Sequence, residues 1–232
     1  MARQRYLIVG AGSFGSSVAR ELMRQGHEVI FLDKDANIVQ KVSDEVTQAV
    51  VGDATDEDDL MAVGARQLDG AVVAIGSDLE VSILSTMLLK ELGVPLVFSK
   101  ATSDNHGRVL NRVGADRIIF PERDAGIRVA RLLQAPTFLE LGDMTAGLMF
   151  AEIRVGEKSA GMTLAKLDAQ RRLGVTIASM RVISQDASPG VDARQVPNEV
   201  RTPDGAYQLK KGDILLAVGQ RPQLEELQKI IG

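Results

Sequence analysis

The chain has 232 residues, 45% of them hydrophobic, and a formal net charge of −4, which allows one large domain or two small ones with an ordinary core. Lysines and arginines are dispersed and only 3% of residues are aromatic, so a basic nucleic-acid face or a base-stacking platform is not expected. With no cysteine in the chain, disulfides, thiolate metal sites and cysteine nucleophiles are excluded.

The first residues lead directly into a predicted strand, leaving no room for a signal peptide. The apolar stretch 81–89 is closed by Glu80 and Lys90, far short of the roughly 20 residues of a membrane span. A soluble, cytoplasmic protein is expected. Tyr6-Leu7-Ile8-Val9 reads as a strand buried on both faces. It runs into Gly10-Ala11-Gly12-Ser13-Phe14-Gly15, a G-x-G-x-x-G in the strand–turn–helix setting that gives the pattern meaning. Gly10 permits the tight turn, Gly12 lets a pyrophosphate approach the backbone, and Gly15 lets the helix pack on the sheet. That helix is predicted over residues 14–25, with Val18, Leu22 and Met23 on one face and Gly26 stopping it. Its free N–H groups and positive dipole end face the glycine turn. A second strand, 28–32, delivers Asp33, placed where an acid binds ribose hydroxyls.

A helix around 37–43 leads to a strand at 49–51, ending in Gly52-Asp53-Ala54-Thr55. In the helix start that follows, Asp56-Glu57-Asp58-Asp59 complement the dipole, which accounts for most of them. Asp53 differs, because it stands at a strand's carboxyl end, where open parallel sheets bind ligands. A strand at 70–75 ends in Gly76-Ser77-Asp78, with Ser77 or Asp78 as cap of the next helix. That helix, 79–92, is apolar nearly all round, which predicts a face covered by another subunit. A strand at 96–98 delivers Ser99-Lys100-Ala101-Thr102, a helix at 104–113 carries His106, and a strand at 117–120 stops at Pro121-Glu122 before a helix running towards Leu133. This alternation predicts an α/β fold, a Rossmann-type doubly wound parallel sheet over residues 1–134. Gly10, Asp33, Asp53, Gly76, Lys100 and Glu122 would share one rim.

Gln134-Ala135-Pro136-Thr137 predicts a hinge, and 135–232 a smaller α+β domain. There Met149, Ala151, Ile153 and Val155 alternate with Glu152 and Arg154 as in a half-exposed strand. Leu164 and Leu167 mark a short helix, 175–183 a strand, 184–198 a loop, 214–218 a strand, and Leu224, Leu227 and Ile231 a last helix. Tyr207 and Lys211 have the spacing that short-chain reductases use on a helix, but turn signals at Asp204-Gly205 and Lys211-Gly212 make this segment a hairpin. His27 reads as solvated. His106, near the rim without an evident partner, reads as a phosphate or ribose contact or a helix-surface residue rather than an acid–base group. No metal-ligand spacing and no catalytic residue emerge.

These residues resemble the cytoplasmic regulatory subunits of Trk/Ktr-type potassium transporters, built from RCK (regulator of potassium conductance) domains. The resemblance rests on Leu7 to Gly15, on Gly52-Asp53-Ala54-Thr55, on Val73-Ala74-Ile75-Gly76, on Leu88-Leu89-Lys90-Glu91-Leu92, and on Val113-Gly114-Ala115-Asp116-Arg117-Ile118-Ile119-Phe120-Pro121-Glu122. It implies an N-terminal RCK domain that binds ATP, ADP or NAD(H) and a C-terminal ligand-sensing RCK domain. It implies a homo-oligomer, a dimer within an octameric ring, docked on an integral-membrane potassium-translocating subunit. The protein would then lie in the cytoplasm at the inner face of the cell membrane, without inserting into it. Carried over by motif, Gly10, Gly12, Ser13, Phe14 and Gly15 would cradle phosphates and Asp33, with Lys34 beside it, the ribose. Asp53 and Ala54 would border the adenine, and Ile75, Gly76 and Ser77 would lie along the ribose–phosphate track. Lys100, Ala101 and His106 would close the rim. Glu122 matches a position that in some members holds a divalent cation, Mg or Ca, at the dimer interface. Some ATP-responsive members have arginine where this chain has Ser13, which moves the expectation towards NAD or ADP. Asp33 disfavours a 2′-phosphate by charge repulsion, so NADP is not expected. An NAD-dependent oxidoreductase is the alternative, and a nucleotide-binding scaffold without a transport partner a third.

Overall fold

Alternating apolar runs and amphipathic stretches resolve into two separate sheets. A computed structural model describes residues 2–10, 12–134, 138–144, 147–183 and 198–232. Its contacts divide the chain into Met1–Arg123 and Asp124–Gly232. The first unit runs β1 (Arg5–Val9), α1 (Ser13–Arg24), β2 (Glu28–Asp33), α2 (Ala36–Val42), β3 (Gln48–Val51), α3 (Glu57–Ala62), β4 (Gly70–Val73), α4 (Leu79–Glu91), β5 (Val97–Lys100), α5 (Asp104–Arg112) and β6 (Arg117–Ile119). The next helix, α6 (Pro121–Gln134), spans the division.

The six strands pair in parallel in the order β3-β2-β1-β4-β5-β6. Register sets Leu7 beside Ile30 and Ile8 beside Phe31, and the two-residue period then sorts side chains between two cores. Leu7, Val9, Ile30 and Leu32 join Leu60, Val73 and Leu89 on one face. Ile8, Val29 and Phe31 join Ala19 and Val42 on the other. Burial on both faces explains why β1 and β2 are continuously apolar. Strand order reverses between β1 and β4, so their carboxyl ends diverge into a crevice.

α4 departs from expectation. The face it lays on the sheet is small and mostly polar, with Ser82, Ser85, Thr86 and Leu89 buried. Thr86 Oγ1 lies 2.9 Å from Ser99 Oγ of β5. The larger apolar residues Ile83, Leu84, Met87 and Leu88 are half-buried on other sides of the helix, and Leu79 is 50% exposed.

The second unit continues from α6 into β7 (Phe138–Asp143), β8 (Met149–Arg154), α7 (Leu164–Leu167), α8 (Ala169–Leu173), β9 (Thr176–Ile183), β10 (Asn198–Arg201), β11 (Ile214–Gly219) and α9 (Arg221–Ile231). Its strands form an antiparallel sheet in the order β10-β9-β11-β8-β7. Leu224, Leu227 and Ile231 of α9 pack with Ile153 and Leu215 in its core. β7, β10 and α8 are additions to the sequence reading. Asp168, at φ 44°, turns the chain between α7 and α8, a left-handed conformation that aspartate tolerates. The predicted hairpin around Tyr207 does not form: Gln208 makes an isolated bridge to Thr163 instead. Residues 135–137 of the predicted hinge (134–137) and 184–197 of the predicted loop (184–198) fall outside the described residues, as does Ala11.

Two glycines fix the entry to α1. Gly10 has φ 93°, and a Cβ there would lie 2.8 Å from Ile75 Cγ1. A Cβ on Gly15 would lie 2.2 Å from the Gly10 carbonyl oxygen. Alanine in a helix gains about 1 kcal/mol over glycine from propensity, but this obstacle is backbone and cannot rotate away. Gly15→Ala is therefore expected to destabilise the protein by about 1–3 kcal/mol, measured by urea unfolding. An unchanged or raised midpoint would show that α1 can stand off the sheet.

Candidate functional site

The carboxyl ends of the strands open into a cavity of about 650 Å³, of the size that holds small-molecule ligands. Ten of the residues read from the sequence line it: Gly10 and Gly12 after β1, Asp33 and Lys34 at β2, Asp53 and Ala54 after β3, Ile75, Gly76 and Ser77 after β4, and Lys100 at β5. Asp35, Ile38, Asp78, Val81 and Thr102 also line it. Asp78 reads in the sequence only as a helix cap, and the other four have no signal beyond standing in segments that follow strand ends. Ser13, Phe14 and Gly15 are not among the lining residues: Ser13 is exposed, Phe14 packs with the Ile8 cluster, and Gly15 is buried beneath the Gly10 carbonyl. Ala101 and Glu122 line a separate hollow of about 340 Å³ that shares Thr102 with the cavity.

Backbone hydrogen bonds hold the loops in place. Gly10 N–H donates to Leu32 O at 3.0 Å, Ala74 N–H to Val9 O at 2.8 Å, and Gly52 N–H to Asp33 O at 3.1 Å. Asp33 Oδ1 accepts the Asp35 N–H at 2.9 Å. The helices α2, α3, α4 and α5 are capped by the side chains of Asp35, Asp56, Asp78 and Ser103. α1 begins at Gly12 without a side-chain cap and without an acid in its first turn. Its terminal donors and positive end are left for an anion. A Cβ on Gly12 would meet nothing within 4 Å, so the space above this turn is open.

The cavity wall carries Asp33, Asp35, Asp53 and Asp78 against Lys34 and Lys100. Hydrogen bonds from the Thr55 hydroxyl and N–H hold the Asp53 carboxyl below the usual carboxylate range, with Lys34 a smaller contribution. Lys100 Nζ donates to Glu122 Oε1 at 2.6 Å, the lysine side chain 14% exposed and the glutamate 69%. That bond keeps Glu122 below the usual range. Glu122 thus brings one carboxylate already set against an ammonium. Among the described residues no group of three or more His, Cys, Asp or Glu could hold a metal ion.

The second unit does not bring the reductase pair together. Tyr207 donates to Asp213 Oδ2 at 3.0 Å, whereas Lys211 pairs with Glu157. Burial, then the bond to Asp213, pushes the Tyr207 phenol up to about 12, the wrong direction for a phenolate base.

Comparison with known proteins places these features in context. The TrkA-N domain family matches residues 6–121 and the TrkA-C domain family residues 150–232. The chain is 36% identical over 179 residues to Ktr system potassium uptake protein C of Bacillus subtilis (strain 168), covering 77% of this chain and 81% of that protein. It is 33% identical over 221 residues to Ktr system potassium uptake protein A of Vibrio alginolyticus, covering 95% and 94%. Among solved structures, the GsuK channel aligns with a TM-score of 0.65 at 19% identity, over 100% of this chain and 40% of that one. The GsuK channel bound to NAD aligns at 0.60 and 18% over the same shares. These structures show a shared fold. Among the described residues, no helix is long and apolar enough to cross a membrane.

His106 stands behind the rim rather than on it. The residue is 3% exposed, and its Nδ1 lies 3.4 Å from the Thr102 N and 3.5 Å from Thr102 Oγ1. Burial pushes the imidazole below its ordinary 6.5, so the folded state favours the neutral ring. The stability this contributes is complete above the unfolded-state value and is lost as pH falls through the lower folded-state value. Thermal melts from pH 7 to about pH 5 should therefore fall more steeply for the natural chain than for His106→Gln. Parallel curves would show that burial does not hold this ring neutral.

Proposed function

Because the chain belongs to the TrkA-N plus TrkA-C family of Ktr-type potassium uptake proteins, we propose that it is the nucleotide-sensing gating subunit of a potassium transport system. It is a regulatory component of uptake rather than an enzyme. The observation that carries the nucleotide reading is the cavity at the reversal of strand order, with an uncapped helix start at one end and Asp33 at the end of β2. In this reading the pyrophosphate lies over Gly10 and Gly12, the ribose on Asp33 beside Lys34, and the adenine against Asp53 and Ala54. The distal part passes Ile75, Gly76 and Ser77 towards Lys100.

ADP and NAD(H) suit this wall better than NADP. An added 2′-phosphate would stand among Asp33, Asp35 and Asp53 and be repelled. The NAD-bound state of the GsuK channel, which shares the fold, supports the same class of ligand. The Ktr relatives support a membrane partner that carries the ion path, with this chain peripheral to it in the cytoplasm. Leu84 and Met87 of α4, half-buried and outside the core clusters that take up Ile83 and Leu88, support a homo-oligomer, since a second copy would cover them.

Ribose hydroxyls donating to an ionised Asp33 contribute on the order of 1.5–3 kcal/mol each. Asp33→Ala should weaken ADP and NAD binding at least about tenfold by calorimetry, and blunt the response of potassium flux to nucleotide when the chain is reconstituted with its membrane partner. Unchanged affinities would remove Asp33 from the site. Flux insensitive to every adenine nucleotide, with binding intact, would refute the gating role.

A further inference from the structure

We propose that Asp59, which does not line the cavity, positions Asp53 to select adenine over guanine; the inference rests on the nucleotide reading above. The acids at the start of α3 have a sufficient general explanation in the helix dipole. Asp56 has a specific one as the cap, its side chain accepting the Asp58 N–H. Asp59 does something the dipole does not require. Its Oδ2 accepts the N–H of Asp53 at 2.7 Å, a short bond to an acid six positions earlier in the chain. A Cβ on Gly52 would lie 3.0 Å from that same oxygen, so a larger residue at position 52 would press the carboxylate off its donor.

The other end of Asp53 is fixed too. Its Oδ1 takes the Thr55 N–H at 2.9 Å and the Thr55 hydroxyl at 2.7 Å, and its carbonyl takes the Asp56 N–H at 3.0 Å. Backbone and side chain are thus held separately, Asp59 setting where the residue stands and Thr55 how its carboxylate turns. No hydrogen bond from the described residues falls on Oδ2, which leaves one oriented, ionised acceptor on a residue of the cavity wall. Adenine carries an amine on its six-membered ring where guanine carries a carbonyl oxygen. The amine donates to such an acceptor, whereas the carbonyl meets it oxygen to oxygen. A site built around a hydrogen bond rejects the base that cannot make it.

The test is calorimetry of ADP and GDP on the full chain and on Asp53→Ala, Asp59→Ala and Asp59→Asn, with a thermal melt of each. The natural chain should prefer ADP, and Asp53→Ala should lose that preference by about tenfold. Asp59→Ala should lose at least about threefold of it, while Asp59→Asn, which retains an acceptor for the Asp53 N–H, should keep it. A preference unchanged in Asp59→Ala, however far its melting point drops, would overturn the proposal and leave Asp59 a purely structural residue. A preference unchanged in Asp53→Ala would instead show that the base does not lie there, and equal binding of ADP and GDP by the natural chain would overturn both. Should Asp59→Ala fail to fold, Asp59→Glu keeps the charge but moves the carboxylate by one methylene, and a preference intact in that variant would equally overturn the role.

Discussion

The site depends on one contact, the close approach of the Gly10 carbonyl to the Gly15 backbone. A helix dipole acts within about its first turn, so an anion above β1 feels α1 only if the helix starts hard against the strand end. The missing Cβ at position 15 allows that. The same crowding reaches β4, since Ala74 Cβ lies 3.1 Å from the position a Gly15 Cβ would take and Ile75 fills the space beside Gly10. One steric constraint therefore sets β1, α1 and the end of β4 together, and those are the elements that diverge to make the cavity.

Charge then divides the cavity by function. Four aspartates face two lysines on its wall, a poor environment for a pyrophosphate unless the phosphates stay at the glycine turn and leave the acids to hydroxyls and an amine. The acids hold their places through donors close in the chain: Asp33 through the Asp35 N–H, and Asp53 through the N–H and hydroxyl of Thr55. Lys100 is the exception, because its ammonium rests on a carboxylate outside the cavity lining. With Glu122 largely in solvent, such a pair contributes about 0–1 kcal/mol, little enough for another anion to displace.

The first unit was legible because its rules are local. A strand buried on both faces must be continuously apolar, a helix packed hard against a tight turn needs glycines at its start, and an acid that faces the crevice of an open sheet stands at a strand's end. Tyr6 to Asp33 satisfies all three. What escaped was whatever depends on partners distant in the sequence. β10, which starts at the last residue of the predicted loop, has no strand signal until β9 supplies its hydrogen bonds. α4 looks apolar nearly all round, yet its buried face carries Ser82, Ser85 and Thr86 beside Leu89, with Thr86 bonded to Ser99 of β5. Within the site, positions at strand ends were readable, whereas depth was not. His106 lies one helical turn from the rim and is turned into the interior, and Asp59 is indistinguishable from its acidic neighbours until Asp53 is folded back onto it.

The two ends of the cavity are consequently unequal as transducers. A ligand shifts a conformational equilibrium only through differential affinity for the two states. The Asp53 end is pinned by neighbours in sequence and would hold any adenine alike, so under the proposed function it supplies affinity and selectivity. The Lys100 end is held by one exchangeable bond to Glu122, and Glu122 stands in the first turn of α6, whose later residues belong to the second unit. Adenine nucleotides are identical at the first end and differ at the second, in terminal phosphate or nicotinamide riboside. A regulatory coupling of about 1–3 kcal/mol is typical, more than a largely solvated ion pair contributes alone. Exchange at Lys100 would therefore have to be joined by contacts that change elsewhere, and in the proposed homo-oligomer the half-buried Leu84 and Met87 of α4, the helix that follows directly on the cavity's Asp78 cap, would supply them.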